Sequence, residues 1–383
     1  MSSKKMEVAV VYHFFAHYRE AVIRELIDSP SHHYIFVGDR KDPFGSGIKA
    51  CDVSNSSRFI YTRSFLLFGK FLIQRGLIRL ALTSEIDVVI FLGDSKFLCT
   101  WISASLARMR GKRVLFWTHG WQKNESGLKS LVRCSFYHLG HGLLLYGQRA
   151  RQFGLAKGFK SRNLYVVYNS LDTRKQEEIR SRVTTRDIRE MREKLFGHWN
   201  RPIVICSGRL ITTRRLDLLL EAVSLLQKEG CPIDVLLVGD GPQRAQLETM
   251  ARTGNLSVVF YGACYEEEIL ARLIMSANVM VVPGAIGLTA MHSLIYGTPV
   301  ITNNDPDEQM PEWEAIISGI NGQVFKKGDP IDLARAIKLW ASGGLPDENV
   351  RTRCYSSIDK CYSPSYQVHV INASVEGRPA DQI

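Results

Sequence analysis

The chain has 383 residues, of which 45% are hydrophobic and 23% charged, as expected of an ordinary soluble protein with enough apolar residues for two or three domains. The net charge of +11 is uneven: residues 1–170 carry 25 Lys and Arg against 11 Asp and Glu, and residues 171–383 carry 24 against 27. The apolar runs fall far short of the ~20 residues of a membrane span, and the eight cysteines include no CxxC pair, which argues against a zinc or disulfide framework.

The amino-terminal half alternates short apolar runs with amphipathic segments. Its opening stretch, "MSSKKMEVAVVYHFF", is broken by Glu7 and lacks a small-residue cleavage site, so we expect a cytoplasmic protein and no signal peptide. Continuous apolar strands between amphipathic helices indicate a parallel sheet that is covered on both faces. The predicted strands are 7–15, 33–39, 87–94, 113–120, 142–147 and 164–170, with helices at 18–28 and 97–112.

The segment "RSFLLFGKFLIQRGLIRL" (63–80) is apolar with basic residues at intervals. This pattern favours a surface helix that docks on an anionic membrane or, equally, a helix that covers the first sheet.

Residues 173–200 are charged, lack a strand pattern and are predicted to form a helical connector between domains. The alternation of strands and helices then restarts and continues to residue 345. The expected fold is α/β, with two Rossmann-like domains, 1–172 and 201–345, whose parallel sheets face each other across a central cleft. Ligands of such sheets bind beyond the carboxyl ends of the strands, so the strand-to-helix loops are the candidate sites.

Two arginines follow the first strand of the second domain. Arg209 comes directly after it, and Arg214 lies five residues later, just before an amphipathic helix. Two guanidinium groups beside a helix amino terminus suit a diphosphate. The alternative is a pair of ordinary surface arginines near a turn.

The segment "LLVGDGPQRAQLE" (236–248) predicts a strand, a glycine-rich turn and a helix. It contains GxG, but Arg244 stands where a dinucleotide fingerprint has its third glycine. The segment is therefore a landmark of the fold, and an NAD dehydrogenase is disfavoured.

The segment "PGAIGLTAMHSLIYGTPVIT" (283–302) predicts another strand-to-helix loop. Gly284 and Gly287 end the strand, and a helix starts near Leu288. The backbone amides of Gly287, Leu288 and Thr289 would face a ligand in the cleft and can hold a phosphate, with the Thr289 hydroxyl as a further donor.

These segments, in this order, resemble the donor half of the retaining glycosyltransferases of family 4, which have the GT-B fold. The family has Gly-Arg followed five residues later by Lys, matched here by Gly208-Arg209 and Arg214. It also has the "LLVGDGP" turn, and an acid, seven residues and a second acid ahead of "GTPV". The resemblance runs over 165–325 and is looser before it. The last segment, 346–383, is similar to the family's tail helix, which packs back towards the first domain.

The resemblance implies a nucleotide diphosphate-sugar donor, with its diphosphate on Arg209, Arg214 and the Gly287–Thr289 amides. Gly208 would border the diphosphate, and the backbone of Gly262–Ala263 would contact the base. No DxD metal motif stands out. Cationic side chains can neutralise the leaving phosphate, so neither a metal nor another cofactor is expected.

The resemblance also implies a role for His119, and it exposes two departures from the family pattern. His119 would lie near the donor sugar; alternatively it is a satisfied histidine at a strand end. The family's two acids contact donor-sugar hydroxyls and the ribose, and here Gly284 and His292 replace them. Because Arg209 and Arg214 remain, we expect altered sugar or nucleotide recognition with retained activity; a catalytically dead copy is the alternative.

The acceptor side is predicted at the end of the first strand. His13, His17, Tyr18 and Arg19 should border the cleft and contact an acceptor phosphate or carry a proton. The alternative is a solvated helix start. The basic charge of this half favours an anionic membrane surface or an anionic acceptor; nucleic acid is disfavoured because no recognised motif accompanies the charge.

The expected function is that of a retaining, metal-independent glycosyltransferase that moves a sugar to a glycan or lipid-linked acceptor, in surface polysaccharide assembly. The protein would act in the cytoplasm or peripherally at the inner face of the plasma membrane. Two alternatives stay open: an enzyme on the same fold, such as a nucleotide-sugar epimerase, and a non-catalytic subunit that binds nucleotide sugar. A phosphorylase is disfavoured because no lysine has a convincing pyridoxal context.

Overall fold

The computed structural model describes residues 5–45, 47–51 and 57–383. Residues 1–4, part of the amino-terminal stretch considered above, lie outside the described residues. The chain divides into two compact units. The first contains the residues up to Asp172 together with Ser363–Ile383, and the second is Thr173–Tyr362.

The first unit is built on a parallel sheet of seven strands in the order β3-β2-β1-β6-β7-β8-β9, with a separate hairpin, β4 and β5. Alternate residues of the central strand β1 enter two different cores. Val8 and Val10 pack on one face of the sheet, and Ala9 and Val11 pack on the other. A strand buried on both faces needs a continuous apolar sequence, which explains its composition. The strands are β1 (Glu7–Phe14), β2 (His33–Asp39), β3 (Phe59–Tyr61), β4 (Ser64–Leu67), β5 (Phe71–Gln74), β6 (Val88–Leu92), β7 (Arg113–Thr118), β8 (Gly142–Leu145) and β9 (Leu164–Val166).

Helices cover both faces of this sheet. They are α1 (Glu20–Ile27), α2 (Leu77–Leu82), α3 (Leu98–Met109), α4 (Gly127–Tyr137) and α5 (Gln148–Ala156). The buried side of α1, with Val22, Ile23 and Leu26, joins the core of Val8 and Val10.

The prediction of a helix over residues 63–80 is wrong. The structure has the antiparallel hairpin β4–β5 there, followed by the short helix α2. Phe68 and Gly69 turn the chain with positive φ values of 51° and 65°, which end any helix at this point. The amide of Gln74 donates to the carbonyl of Tyr12 at 2.9 Å and so ties the hairpin to β1.

The second unit is built on a parallel sheet of six strands in the order β12-β11-β10-β13-β14-β15. Its strands are β10 (Ile203–Ser207), β11 (Asp234–Val238), β12 (Val258–Gly262), β13 (Val279–Val282), β14 (Val300–Asn303) and β15 (Gly322–Phe325). Its helices are α6 (Thr173–Arg182), α7 (Thr185–Phe196), α8 (Leu216–Lys228), α9 (Arg244–Thr253), α10 (Glu267–Met275), α11 (Leu288–Ile295), α12 (Pro330–Ala341) and α13 (Glu348–Asp359).

The segment predicted as a connector, 173–200, forms two helices of the second unit. Thr184 and Asp187 form a capping box at the start of α7. Further along, the buried guanidinium of Arg192 donates to the side chain of Asn278 at 2.8 Å, and the same Asn278 oxygen accepts the amide of Ile203 at 2.9 Å. These bonds hold α7 against the start of β10.

The segment predicted as one tail helix, 346–383, is two helices. The first, α13, packs against α11 in the second unit. The second, α14 (Pro364–Glu376), belongs to the first unit, where Asn372 accepts from the Tyr34 hydroxyl at 2.6 Å and the Ser374 carbonyl accepts from Arg113 at 2.7 Å. Pro364 has no amide to donate, so it fits the first turn of α14 and marks the break. Among the described residues, no helix is both long and apolar enough to span a membrane.

Candidate functional site: a cationic helix start and a basic cavity

The second unit brings Arg214 and Thr289 together. Arg214 ends a 3-10 turn, Thr212–Arg214, that lies between β10 and α8. Its guanidinium donates to the carbonyl of Ser207 at 3.0 Å and to the hydroxyl of Thr289 at 3.2 Å. Thr289 lies in the first turn of α11, so a cation predicted from one loop stands beside the helix start predicted from another.

Glycines allow this close approach. Gly208 has a φ of +126°, and a Cβ there would lie 2.5 Å from a terminal nitrogen of Arg214. Gly239, in the "VGDG" turn, has a φ of +146°, and a Cβ there would lie 1.9 Å from the Gly208 carbonyl oxygen. The Gly-rich turn of 236–248 therefore packs directly against the loop that carries Gly208.

The family resemblance predicts that Gly284 replaces a first acid. A Cβ at this position would lie 2.0 Å from the carbonyl oxygen of Thr213. The Gly284 amide donates to the Arg214 carbonyl at 2.8 Å, and its own carbonyl accepts from Thr302 and Gln309 at 3.3 Å each. Gly284 was predicted to bind the donor, but both of its polar groups are already bonded within the protein. It supports the turn that carries Arg214, and the loop as folded has no room for an acidic side chain.

The start of α11 is open to a ligand. Within the described residues, the backbone amides of Gly287, Leu288 and Thr289 donate no hydrogen bond. The helix adds partial positive charge at this end. Arg209 is exposed, and its side chain makes no hydrogen bond or ion pair with any described residue. These groups retain the donors that a diphosphate requires.

Gly262 and Ala263, predicted to contact the base, end β12. Gly262 has a φ of +88°, and its carbonyl accepts the Gly239 amide at 2.7 Å. Ala263 is exposed.

The family resemblance predicts that His292 replaces a second acid, and in the structure His292 is bound to an acid on another helix. Its Nε2 lies 2.8 Å from Oε1 of Glu267, at the start of α10. The same oxygen accepts from the Tyr296 hydroxyl at 2.6 Å and from the Gln176 amide at 2.9 Å. Burial works to raise the pKa of Glu267, but the hydrogen bonds from His292, Tyr296 and Gln176 outweigh it and lower that pKa to about 2.

Both side chains of this pair stay partly accessible. The side chains of His292 and Glu267 are 21% and 23% exposed. His292 is therefore not sealed in the core, and the carboxylate of Glu267 is ionised at neutral pH.

In the first unit, a cavity of about 820 Å³ opens at the carboxyl ends of β1, β6 and β7. Of the predicted residues, His13, Tyr18, Arg19 and His119 line it. His17 does not: it is exposed and its amide donates to the Lys49 carbonyl at 2.9 Å.

The two cavity histidines are held neutral. Burial is the main cause that lowers the pKa of His13 to about 4; Asp42 opposes the shift and Arg19 adds to it. Burial and the charge of Arg19 lower the pKa of His119 to about 4. The Nδ1 atoms of both rings are buried and lack a hydrogen-bond partner among the described residues. At neutral pH each ring is therefore uncharged and can donate one hydrogen bond and accept another.

Sequence reasoning missed the residues that surround the predicted ones. In the second unit these are Gln176, Glu267 and Tyr296. In the first they are Trp117 and Tyr146, which lie at strand ends beside Arg19. Aromatic residues at the carboxyl ends of predicted strands were an available signal, whereas nothing local linked Glu267 to His292. Within the described part of the chain, no group of three or more His, Cys, Asp or Glu side chains is placed to hold a metal ion.

Residues 187–357, somewhat less than half of the chain, match the family model of glycosyl transferases group 1. A GDP-mannose-dependent α-(1-6)-phosphatidylinositol dimannoside mannosyltransferase of Mycobacterium tuberculosis is 34% identical over 112 residues, covering 28% of this chain and 29% of the relative. The lipopolysaccharide core biosynthesis glycosyltransferase LpsE of Rhizobium meliloti is 27% identical over 165 residues, covering 42% of this chain and 45% of the relative.

The solved structures extend the likeness to nearly the whole chain. The lipopolysaccharide outer core galactosyltransferase WaaB, in its apo form, superposes with a TM-score of 0.69 at 16% identity, covering 97% of this chain and 100% of that one. The curated relatives are matched over less than half of their length. The chain thus consists of two parallel-sheet α/β units with the fold of GT-B glycosyltransferases, and its second unit carries the match to glycosyl transferases group 1.

Proposed function

We propose that the protein is a glycosyltransferase that moves a sugar from a nucleotide diphosphate-sugar to a glycan or lipid-linked acceptor. One observation carries this proposal: the guanidinium of Arg214 is held beside Thr289, at the open start of α11. Arg209 is the second cation of the site. Breaking a sugar–phosphate bond leaves negative charge on the departing diphosphate, and cations fixed beforehand beside it lower that barrier. The match to glycosyl transferases group 1 supports the same function.

We propose that this chemistry proceeds with retention and without metal. Retention rests on the family resemblance. Metal independence rests on Arg209, Arg214 and the α11 amides, which together supply the charge that a divalent cation would otherwise bring.

We further propose that Glu267 replaces the missing second acid. Its Oε1 is bound by three donors, which leaves Oε2 to accept from a hydroxyl of the donor nucleotide. His292 lies one helical turn beyond Thr289, on the same face of α11, so the carboxylate it holds lies close to the proposed diphosphate site. His292 then serves to position Glu267, and the departure from the family pattern alters donor recognition without removing it.

On the acceptor side, we propose that the first-unit cavity receives the acceptor, with neutral His119 and His13 at its wall. Neutral imidazoles can hydrogen-bond sugar hydroxyls or transfer a proton. The mannosyltransferase relative, named for a phosphatidylinositol dimannoside, and the lipopolysaccharide core relative support an acceptor of the surface-glycan class.

A donor panel tests the proposal. Nucleoside diphosphate release is measured for UDP-, GDP- and ADP-sugars, alongside melting temperatures with each nucleotide, since a ligand bound only by the folded state raises that temperature. Arg214→Ala should lower turnover by about a hundredfold, as expected for loss of one preorganised donor. Arg215→Ala is the matched control, because Arg215 is exposed and pairs with Asp217 at 2.9 Å.

Other results would point elsewhere. If Arg214→Ala turns over as fast as wild type, Arg214 does not stabilise the departing diphosphate. Nucleotide binding without turnover on any pair of donor and acceptor would indicate a binding subunit. An isomerised donor formed without acceptor would indicate an epimerase.

We also propose peripheral contact of the first unit with an anionic membrane, through the hairpin β4–β5. Phe68 at its tip is 84% exposed, and Phe65 and Phe71 are also exposed. Arg63 and Lys70 supply positive charge at the same hairpin. Phe68→Ser should reduce cosedimentation with phosphatidylglycerol vesicles but leave the low binding to phosphatidylcholine vesicles unchanged. Leu339→Ser, on exposed α12 of the second unit, is the control; an equal loss in both variants would refute a role for the hairpin.

A further inference from the structure

Arg19 stands at the wall of the first-unit cavity among four aromatic rings. It is the last residue of a 3-10 turn, His17–Arg19, and directly precedes α1. Its guanidinium carbon is 4.8 Å from the ring centroid of Tyr12, 5.0 Å from Trp117, 5.5 Å from Tyr146 and 5.9 Å from Tyr18. A terminal nitrogen of Arg19 also donates to the Tyr146 hydroxyl. Three strand ends therefore converge on one cation.

No carboxylate neutralises this cation within the described residues. Neighbouring Glu20 pairs with Arg24, and Asp42 lies 3.9 Å from the ring of His13. Aromatic faces attract a guanidinium but accept none of its in-plane hydrogen bonds. Arg19 lines the cavity, and the bond to Tyr146 is the one hydrogen bond that its guanidinium makes with the described residues, so its other N–H donors are left without a partner there.

The surrounding tyrosines do not provide the missing negative charge. Burial raises the pKa of Tyr12 well above its usual value, so its hydroxyl stays protonated at neutral pH. The charge of Arg19 also contributes to the low pKa values of His13 and His119, which shows that its field reaches the cavity wall.

The other charged side chains that line the cavity leave its net charge positive. Lys96, Lys129 and Arg133 add positive charge, although Glu125 pairs with Arg133 at 3.2 Å and with Lys129 at 3.5 Å. Asp94 is the acid that lines the cavity, and one of its oxygens accepts the Lys96 amide at 3.0 Å. The lining therefore carries four cations against one acid, and neither Arg19 nor Lys96 forms an ion pair with a described residue.

We propose that this cavity binds an anionic oxyacid group of the acceptor, a carboxylate or a phosphate, through the guanidinium of Arg19. Such a group presents two oxygens to the planar fork of the arginine and is excluded from water by the aromatic rings. The assignment of the ligand as an acceptor rests on the proposed glycosyl transfer. The anion site itself does not.

The test uses the full chain and three sugars of similar size: glucuronate, glucose 6-phosphate and glucose. Binding is followed by intrinsic fluorescence and by the histidine side-chain resonances in NMR spectra. Trp117 lies against Arg19, so its emission should respond to a ligand bound there. We expect at least one anionic sugar to bind about tenfold more tightly than glucose, which is 1.4 kcal/mol. Preference for glucuronate identifies a carboxylate site, and preference for glucose 6-phosphate identifies a phosphate site.

Two variants and a control assign the effect to Arg19. Arg19→Gln should abolish the preference for the anionic sugar. Arg19→Lys keeps the charge but lacks the fork, so it should retain a weaker preference even if Arg19→Gln fails to fold. Arg24 is an exposed arginine of the adjacent α1, and Arg24→Gln should behave as wild type. The anion should also raise the pKa of His119 by neutralising its cationic neighbour.

The proposal is overturned if all three sugars bind alike, or if Arg24→Gln loses the preference as fully as Arg19→Gln. The rise in melting temperature on adding nucleotide, measured on the same samples, tests the proposed glycosyl transfer separately from the anion site. Normal nucleotide binding without anion preference refutes the anion site alone. Anion preference without any nucleotide binding supports the anion site and argues against glycosyl transfer.

Discussion

His292 donates a 2.8 Å hydrogen bond to the carboxylate of Glu267 and so links α11 to α10. His292 is thus bound to an acid on another helix, although no local pattern in the chain pairs the two residues.

Glu267→Gln should weaken nucleoside diphosphate binding by about tenfold, as loss of a charge-assisted hydrogen bond to a hydroxyl is worth roughly 1.5 kcal/mol. Calorimetric titration with a nucleoside diphosphate and with its 2′-deoxy counterpart measures the effect. The variant should also lose any discrimination between the two ligands. Glu268→Gln, its exposed neighbour, is the control. Unchanged affinity in Glu267→Gln would remove this residue from the donor site.

His292→Glu should destabilise the second unit at neutral pH, because two carboxylates would then stand where a 2.8 Å bond now exists. Repulsion raises the folded-state pKa of one carboxyl, so the folded state binds a proton that the unfolded state has released. The stability deficit relative to wild type should therefore shrink as pH falls from 7 towards 5. Melting temperatures across this range measure it, with His292→Gln as the uncharged comparison. A deficit that is constant with pH would mean that repulsion is not its cause.

Gly284→Ala should lower the free energy of unfolding by about 1–3 kcal/mol, the usual cost of forcing an atom into a packed site. The added Cβ would meet the Thr213 carbonyl oxygen at 2.0 Å and displace the turn that carries Arg214. Nucleotide affinity should fall with it. Gly343→Ala is the control, since nothing lies within 4 Å of a Cβ there. Denaturant titration and nucleotide binding are the measurements, and wild-type behaviour in Gly284→Ala would contradict this packing.

Stability should fall as pH drops from about 6.5 to about 4, the window between the ordinary pKa of histidine and the lowered values of His13 and His119. In this range the unfolded chain binds protons that the folded chain does not, so protonation favours unfolding. His32 and His141, whose pKa values are also lowered by burial, act in the same direction. Glu267 adds to the loss of stability as pH falls from its ordinary pKa of 4.5 towards the lowered value of about 2.

His119→Gln should make this pH dependence shallower, because one of the groups that causes it is removed. Melting temperatures of wild type and variant at intervals between pH 4 and 7 test the expectation. His138→Gln is a suitable control, because His138 caps the end of α4 away from the cavity wall and bonds the Cys134 carbonyl at 2.7 Å. A slope unchanged by His119→Gln would mean that His119 titrates normally.

Much of this protein can be predicted from its sequence alone. Apolar strands such as 234–238 and the glycines at 208 and 239 indicate two parallel α/β units and the loops that carry the site, because burial on both faces and positive φ leave local signatures in residue type. The sequence also predicts Arg209, Arg214 and Thr289 as site residues from their places at strand ends and helix starts, and the structure joins Arg214 to Thr289 by a hydrogen bond.

Only the tertiary structure decided which of these residues meet. The hairpin at 64–74 replaced an expected helix, because Gly69 turns the chain and a tie from Gln74 to β1 outweighs helix propensity. Glu267 reaches His292 across 25 residues of sequence, and Tyr146 reaches Arg19 across 127. Such contacts join separate elements, so they depend on how helices and strands pack, and the residue pattern of each element alone does not record them.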